Sequence, residues 1–190
     1  LFSFYDPIHL NDIEPANSDT KYWKKNDLFL SLPKLNKIII YRPSINKIIR
    51  EISNKTAYQA QHDIDIISDK EITIFENNNS SKDNNFSKVL LYNFDKNKFS
   101  EIFTMQLQEE NFYTGTQGLS ETLNDGSLMV EEQAFGRLIF FNNKGKKEWE
   151  FINKDSNGKI YEISWSRIIS DKNLIKKILE SIKSKKCIER

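Results

Sequence analysis

Short runs in which apolar and polar positions alternate, or in which β-branched and aromatic residues cluster, dominate the chain from residue 8 to about 170. Clusters of Asn, Asp, Gly, Ser and Lys bound them, the pattern of strands joined by polar turns. A first set covers 8–14, 27–32, 37–42 and 47–52, with Pro43-Ser44-Ile45-Asn46 as the turn before its last strand. A second covers 62–67, 71–76, 87–94 and 98–106, with Phe94-Asp95-Lys96-Asn97 as the corresponding turn and an Asn- and Ser-rich loop over 77–87. The third covers 116–122, 127–132, 136–142 and 147–152, where Asn143-Lys144-Gly145 supplies a turn that tolerates positive φ. One or two more strands are expected over 159–170. The period then changes: Leu174, Ile175, Ile178, Leu179 and Ile182 recur at helical spacing, predicting a helix over 171–184 whose apolar stripe packs on the last strands.

The three sets are versions of one unit. Lys37-Ile38-Ile39-Ile40-Tyr41 corresponds to Lys88-Val89-Leu90-Leu91-Tyr92 and to Gly136-Arg137-Leu138-Ile139-Phe140-Phe141. Four strands recurring every 50 or so residues are the signature of β-propeller blades. The expected fold is therefore all-β: a partial propeller of about three to four four-stranded antiparallel blades with a C-terminal α-helix. The blade units are 8–52, 62–106 and 116–152, in one domain spanning 1–190. Propellers close with about four to eight blades, so the chain is expected to be an arc of a larger ring, its partners including N-terminal blades of the same protein.

Charge and composition narrow the function. The 28 basic and 27 acidic residues leave a net charge of +1, too little to attract nucleic acid or anionic lipid broadly. No apolar run reaches the length of about 20 residues that a spanning helix needs. The single cysteine, Cys187, allows no internal disulfide and no cysteine-based metal site. Asp63, Asp65, Glu131 and Glu132 lie on strands without the spacing of a hard-cation loop and read as solvated surface. Neither a metal nor a cofactor is expected.

Chemistry concentrates on the only two histidines, His9 and His62, which open equivalent strands of successive units. Innermost strands line the channel of a propeller, so both side chains are expected to face one cavity. Alternation along the strand that His9 begins turns Asn11 the same way and Leu10 and Asp12 the other. Gln117 stands near the corresponding position of the third unit. A histidine capping a strand is also a common packing residue, and repetition duplicates structural residues as readily as functional ones.

The segments His9-Leu10-Asn11-Asp12-Ile13, Asp27 to Leu32, Lys37 to Tyr41, Gln61-His62-Asp63 and Ile72 to Asn77 resemble the arylsulfotransferase family of bacterial β-propellers, with its H-x-N and Q-H-D signatures. Asp125-Gly126-Ser127, Phe135 to Leu138 and Lys147-Glu148-Trp149-Glu150-Phe151 are similar to a later blade of that family. The resemblance implies transfer of a sulfuryl group from a phenolic sulfate to a phenol acceptor, without a nucleotide sulfate donor, through a sulfohistidine intermediate. It makes His62 the nucleophile, and His9 and Asn11 the groups that bind the sulfuryl oxygens, with His9 also an acid or base for the phenolic oxygen. Where the family tends to carry an arginine after Ser31, this chain reads Leu32-Pro33-Lys34; Lys34 replaces the charge as a point donor and not as a fork. The resemblance also points to a periplasmic or membrane-anchored extracytoplasmic setting. The alternative is a non-catalytic propeller that binds a ligand or a protein.

Overall fold

A computed structural model describes residues 6–53, 60–77, 86–183 and 185, leaving most of the polar loop after Glu76 and Cys187 outside the described residues. Three four-stranded antiparallel sheets follow one another along the chain, each with its strands in sequence order. The first contains β1 (Asp12–Pro15), β2 (Leu28–Leu32), β3 (Lys37–Arg42) and β4 (Lys47–Ser53). The second contains β5 (Gln61–Ile66), β6 (Glu71–Glu76), β7 (Lys88–Asn93) and β8 (Lys98–Ile102), and the third β9 (Leu119–Thr122), β10 (Leu128–Glu132), β11 (Arg137–Phe141) and β12 (Lys147–Ile152). The chain is thus a partial β-propeller of three blades with a C-terminal helix.

The hairpins are closed by residues that accept a left-handed backbone. Asn36 and Gly136 end the turns before β3 and β11, and Asn46, Asn97 and Gly145 end those before β4, β8 and β12, all with positive φ. Asn visits this region more readily than other non-glycine residues. Packing then joins blade to blade. Trp23, Phe29, Ile38, Ile40, Ile64, Ile72, Ile74 and Leu90 form one buried cluster between the first and second sheets. Phe75, Val89, Leu107, Leu128, Val130, Ile139 and Phe141 form another between the second and third. Successive residues of β6 serve opposite clusters, Ile74 the first and Phe75 the second, as period-two alternation requires of a strand covered on both faces.

Several boundaries differ from the sequence expectation. Residues 8–11 and 116–118 are not strand, and β8 ends at Ile102, where Phe103 turns left-handed and starts α1 (Thr104–Glu109). Leu107 on that helix is fully buried, which is why a turn of helix displaces the end of the strand. Residues 159–170 form no strand; one bridge pairs Lys154 with Ile160, and the rest of the tail is held by capping contacts described below. The C-terminal helix α2 (Lys172–Lys183) has no buried residue; of the stripe only Ile175 and Ile178 are half-buried, so it is not the buried core face that the spacing predicts. Among the described residues, no helix is long and apolar enough to cross a membrane.

Candidate active site

The inner strands are tied to one another by carboxylates that reach across each seam. Asp12 Oδ2 accepts the backbone N–H of Ile64 at 3.0 Å, and Asp63 Oδ2 accepts that of Ser120 at 3.0 Å. In the third blade Glu121 Oε2 accepts the N–H of Ile168 at 2.9 Å, and Glu131 Oε2 that of Ser166 at 2.8 Å. Glu131 and Glu132 are buried, and Glu132 pairs with Arg137 at 2.6 Å. The expectation that Asp63, Glu131 and Glu132 are solvated surface is therefore corrected: Asp63 and Glu131 accept backbone donors that the seams leave unpaired, and Glu132 accepts the Tyr113 N–H and pairs with Arg137. Asp65 is likewise sheltered, with Oδ2 buried and unpartnered. Among the described residues no cluster of His, Cys, Asp and Glu is arranged to hold a metal.

Each inner segment begins with one residue in the left-handed region: His9 (φ 53°), Ala60 (φ 62°), Gln117 (φ 64°) and Trp165 (φ 61°). This repeated kink turns the start of each segment toward a single cavity of about 770 Å³, whose walls include His9, Asn11, Lys34, His62, Gln117 and Arg167. The structure thus brings together all four site residues expected from the sequence. It does so by a different route from simple alternation, because His9, Leu10, Asn11 and Asp12 all line the cavity and strand pairing starts only at Asp12.

His62 owes its placement to a β-bulge. Gln61 pairs with Glu76 and Ile64 with Ile74, so His62 and Asp63 together oppose the single residue Phe75. A bulge re-aims side chains locally, which sends His62 to the cavity and Asp63 to the Ser120 amide. His62 Nε2 accepts the backbone N–H of Gln117 at 3.1 Å. A ring nitrogen that accepts carries no proton, so in the neutral ring Nδ1 holds it and donates to the Ala60 carbonyl at 3.2 Å. Burial depresses the His62 pKa, and repulsion from His9 acts in the same direction, while the Ala60 carbonyl and the Asn77 side chain oppose it. The geometry therefore favours the neutral ring with its proton on Nδ1.

The other expected residues are engaged as follows. His9 Nδ1 pairs with Asp6 Oδ2 at 2.7 Å, and the His9 backbone N–H donates to Asp6 Oδ1 at 2.8 Å. These bonds from His9 lower the Asp6 pKa. Lys34 Nζ donates to the Asp6 carbonyl at 2.6 Å, so Asp6, His9 and Lys34 form one cluster. Asn11 Nδ2 donates to the Gln61 carbonyl at 3.2 Å, steadying the peptide that carries His62. Burial, reinforced by the charges of Asp12 and Glu14, pushes Asp63 up to about 7 against the Ser120 hydrogen bond and the charge of Arg167. Asp65 is also raised by burial and by the charge of Asp63, and Asp12 by burial.

Sequence reasoning placed Gln117 at the equivalent position but not its main-chain amide as the group that meets His62, and it missed Trp165 and Arg167 as lining residues. Trp165 is 71% exposed and lines the cavity. The shared register of Asp12 and Asp63 was the available signal for the seam carboxylates.

Two solved structures of virginiamycin B lyase from Staphylococcus aureus are similar to this chain. The selenomethionine-substituted enzyme is 16% identical with a TM-score of 0.48, the similarity covering 77% of this chain and 42% of that one. A catalytically inactive variant with quinupristin is 18% identical with a TM-score of 0.44, over 75% of this chain and 40% of that one. The chain thus spans about two-fifths of the structures it matches. Comparison with curated proteins finds no match. The sequence model of the arylsulfotransferase family (ASST) matches residues 3–154, most of the chain and all three blades, and the chain belongs to that family.

Proposed function

We propose that the cavity transfers a sulfuryl group from a phenolic sulfate ester to a phenol acceptor, with His62 as the nucleophile. The observation that carries this reading is a half-buried His62, its Nε2 facing the Gln117 N–H and its Nδ1 the Ala60 carbonyl, on a cavity that also holds His9, Asn11 and Lys34. Family membership supports sulfotransferase-like chemistry, and the donor, acceptor and intermediate belong to the proposal.

In the first step the sulfate ester displaces the Gln117 N–H from Nε2. The Nε2 lone pair forms the N–S bond as the S–O bond to the aryl group breaks, and the phenolate leaves with the electron pair. His9, oriented through Nδ1 by Asp6, donates or recovers the phenolic proton. The ring of the sulfohistidine is cationic while Nδ1 keeps its proton, and the Ala60 carbonyl stabilises that charge. In the second step the acceptor oxygen attacks sulfur, the N–S bond breaks toward Nε2, and the acceptor proton passes to His9. A loose transition state, as in phosphoryl transfer, places its charge on the equatorial oxygens, where Lys34 and the freed Gln117 N–H are the donors. The three blades would act as one arc of a larger ring whose remaining blades complete the wall.

The test supplies a chromogenic aryl sulfate and a phenol acceptor to the protein and follows phenol release. Turnover lost in His62→Ala supports the reading; absence of any phenol release from the full-length protein overturns it. A second reading, a non-catalytic ligand-binding propeller, is favoured by the engagement of Nε2 with Gln117 and of Asn11 with the Gln61 carbonyl. It predicts binding of the aryl sulfate without turnover.

A further inference from the structure

The tail after the third blade is docked at the place of a fourth inner segment. Its left-handed residue, Trp165, stands where His9, Ala60 and Gln117 stand in the blades. Its backbone N–H groups at Ser166 and Ile168 are taken by Glu131 and Glu121, as Asp12 and Asp63 take those of the second and third blades. Upstream, Ile163 N–H donates to the Gln133 carbonyl and Asn153 Nδ2 to the carbonyls of Tyr161 and Glu162. Gly136 makes room for this docking, since a Cβ there would lie 2.1 Å from the Tyr161 carbonyl oxygen. The tail is a built part of the cavity wall, and it lies beyond the family-matched residues 3–154.

Docking brings two side chains to the cavity that the three blades do not supply, Trp165 and Arg167. The Arg167 guanidinium lies 5.3 Å from the centroid of the Trp165 ring, and Nη1 donates to the Ser166 carbonyl at 2.9 Å. That bond uses one of five N–H donors in a planar fork suited to an oxyanion. Among the described residues no carboxylate lies within ion-pair distance of Arg167. The other cation at the cavity, Lys34, already donates to the Asp6 carbonyl. Asp12 and Asp63 also line the cavity, each with one oxygen on a backbone N–H of the next blade.

We propose that Trp165 and Arg167 are the recognition element for an anionic aromatic ligand, Arg167 holding the sulfate oxygens and the exposed Trp165 indole covering the ring. Arg167 supplies from the tail the fork that Pro33 and Lys34 do not supply. This inference rests on the aryl sulfate reading of the cavity, and its test needs no turnover.

The experiment measures binding of benzenesulfonate, which cannot transfer its group, and of phenol as the neutral probe, to the full chain by titration calorimetry. Arg167→Ala should weaken benzenesulfonate by about ten- to a hundredfold and leave phenol within about twofold. Arg167→Lys should recover only part of the loss, and Trp165→Ala should weaken both probes. Gly136→Ala, which pushes the tail away without touching either side chain, should reproduce the Arg167→Ala loss. A native chain that does not bind benzenesulfonate, or an Arg167→Ala variant whose affinity stays within about twofold of native, overturns the proposal. Arg167-dependent binding without turnover would sustain this inference while removing the transferase reading; turnover with a KM indifferent to Arg167 would do the reverse.

Discussion

The two histidine segments occupy the same place in successive repeats and do different jobs. At His9 the backbone is left-handed, the ring is exposed, and Asp6 binds both its backbone N–H and Nδ1. At His62 the left-handed residue is Ala60, a bulge adds one position, and the ring is half-buried between the Ala60 carbonyl and the Gln117 N–H. The repeat thus sets where a side chain arrives. Its neighbours set the chemistry: a carboxylate partner suits His9 to proton transfer, whereas burial and a depressed pKa suit His62 to act as a neutral nucleophile.

The strongest break of this comparison is a pair of substitutions. His62→Ala should cost more than about 10⁴-fold in turnover, as loss of a nucleophile does, and His9→Ala about 10²-fold, as loss of a general acid does. Equal losses measured by steady-state kinetics would show that the two positions are not differentiated. Because His62 is held below its ordinary pKa, the acidic limb of the native rate profile should lie below pH 6.5.

The seams come next. Asp12→Ala leaves the Ile64 N–H without its acceptor between the first two blades, and chemical denaturation should register a loss of about 1–3 kcal/mol. Asp63→Asn should have the opposite sign above neutrality, since the amide oxygen still accepts from Ser120 while the buried charge disappears. The folded Asp63 pKa, about 7, exceeds its unfolded value, so its contribution is full below pH 4 and is lost as pH rises from about 4 to about 7. His62, with its pKa depressed, loses stability as pH falls below about 6.5. The native-minus-variant difference for Asp63→Asn reports this carboxylate together with its coupling to Asp65, and it should decline across pH 4 to 7 and then level. A flat difference would place Asp63 in solvent.

Asp6→Asn should have the smallest effect, a fall in kcat of about fivefold or less, because the pairing that orients His9 is solvent-exposed and weak. A loss as large as that of His9→Ala would make the Asp6 pairing essential to the role of His9.

Much of the fold was legible because period-two alternation and Asn or Gly at the turns are properties of the residues themselves. The meeting of His9 and His62 at one cavity followed from the repeat, whereas Lys34 was reached only through the family resemblance. The start of the first strand was not legible, since nothing in Ile8-His9-Leu10 announces a left-handed His9. The bulge at His62 depends on cross-strand pairing with Phe75, and the burial of Glu131 depends on a backbone amide 35 residues later. An acidic residue on a strand reads as surface until the donor it meets is known. The tail failed in the opposite sense: it reads as strand, and in the described residues no second strand pairs with 163–169, so it docks by side-chain caps and the single backbone bond from Ile163 to Gln133.

The most direct measurement is mass spectrometry of the protein quenched during reaction with an aryl sulfate, peptide by peptide. A single sulfuryl group on the peptide containing His62, absent in His62→Ala and present in His9→Ala, is the expected result. An adduct on His9, or turnover with no adduct on His62, would contradict the division of labour between the two histidines.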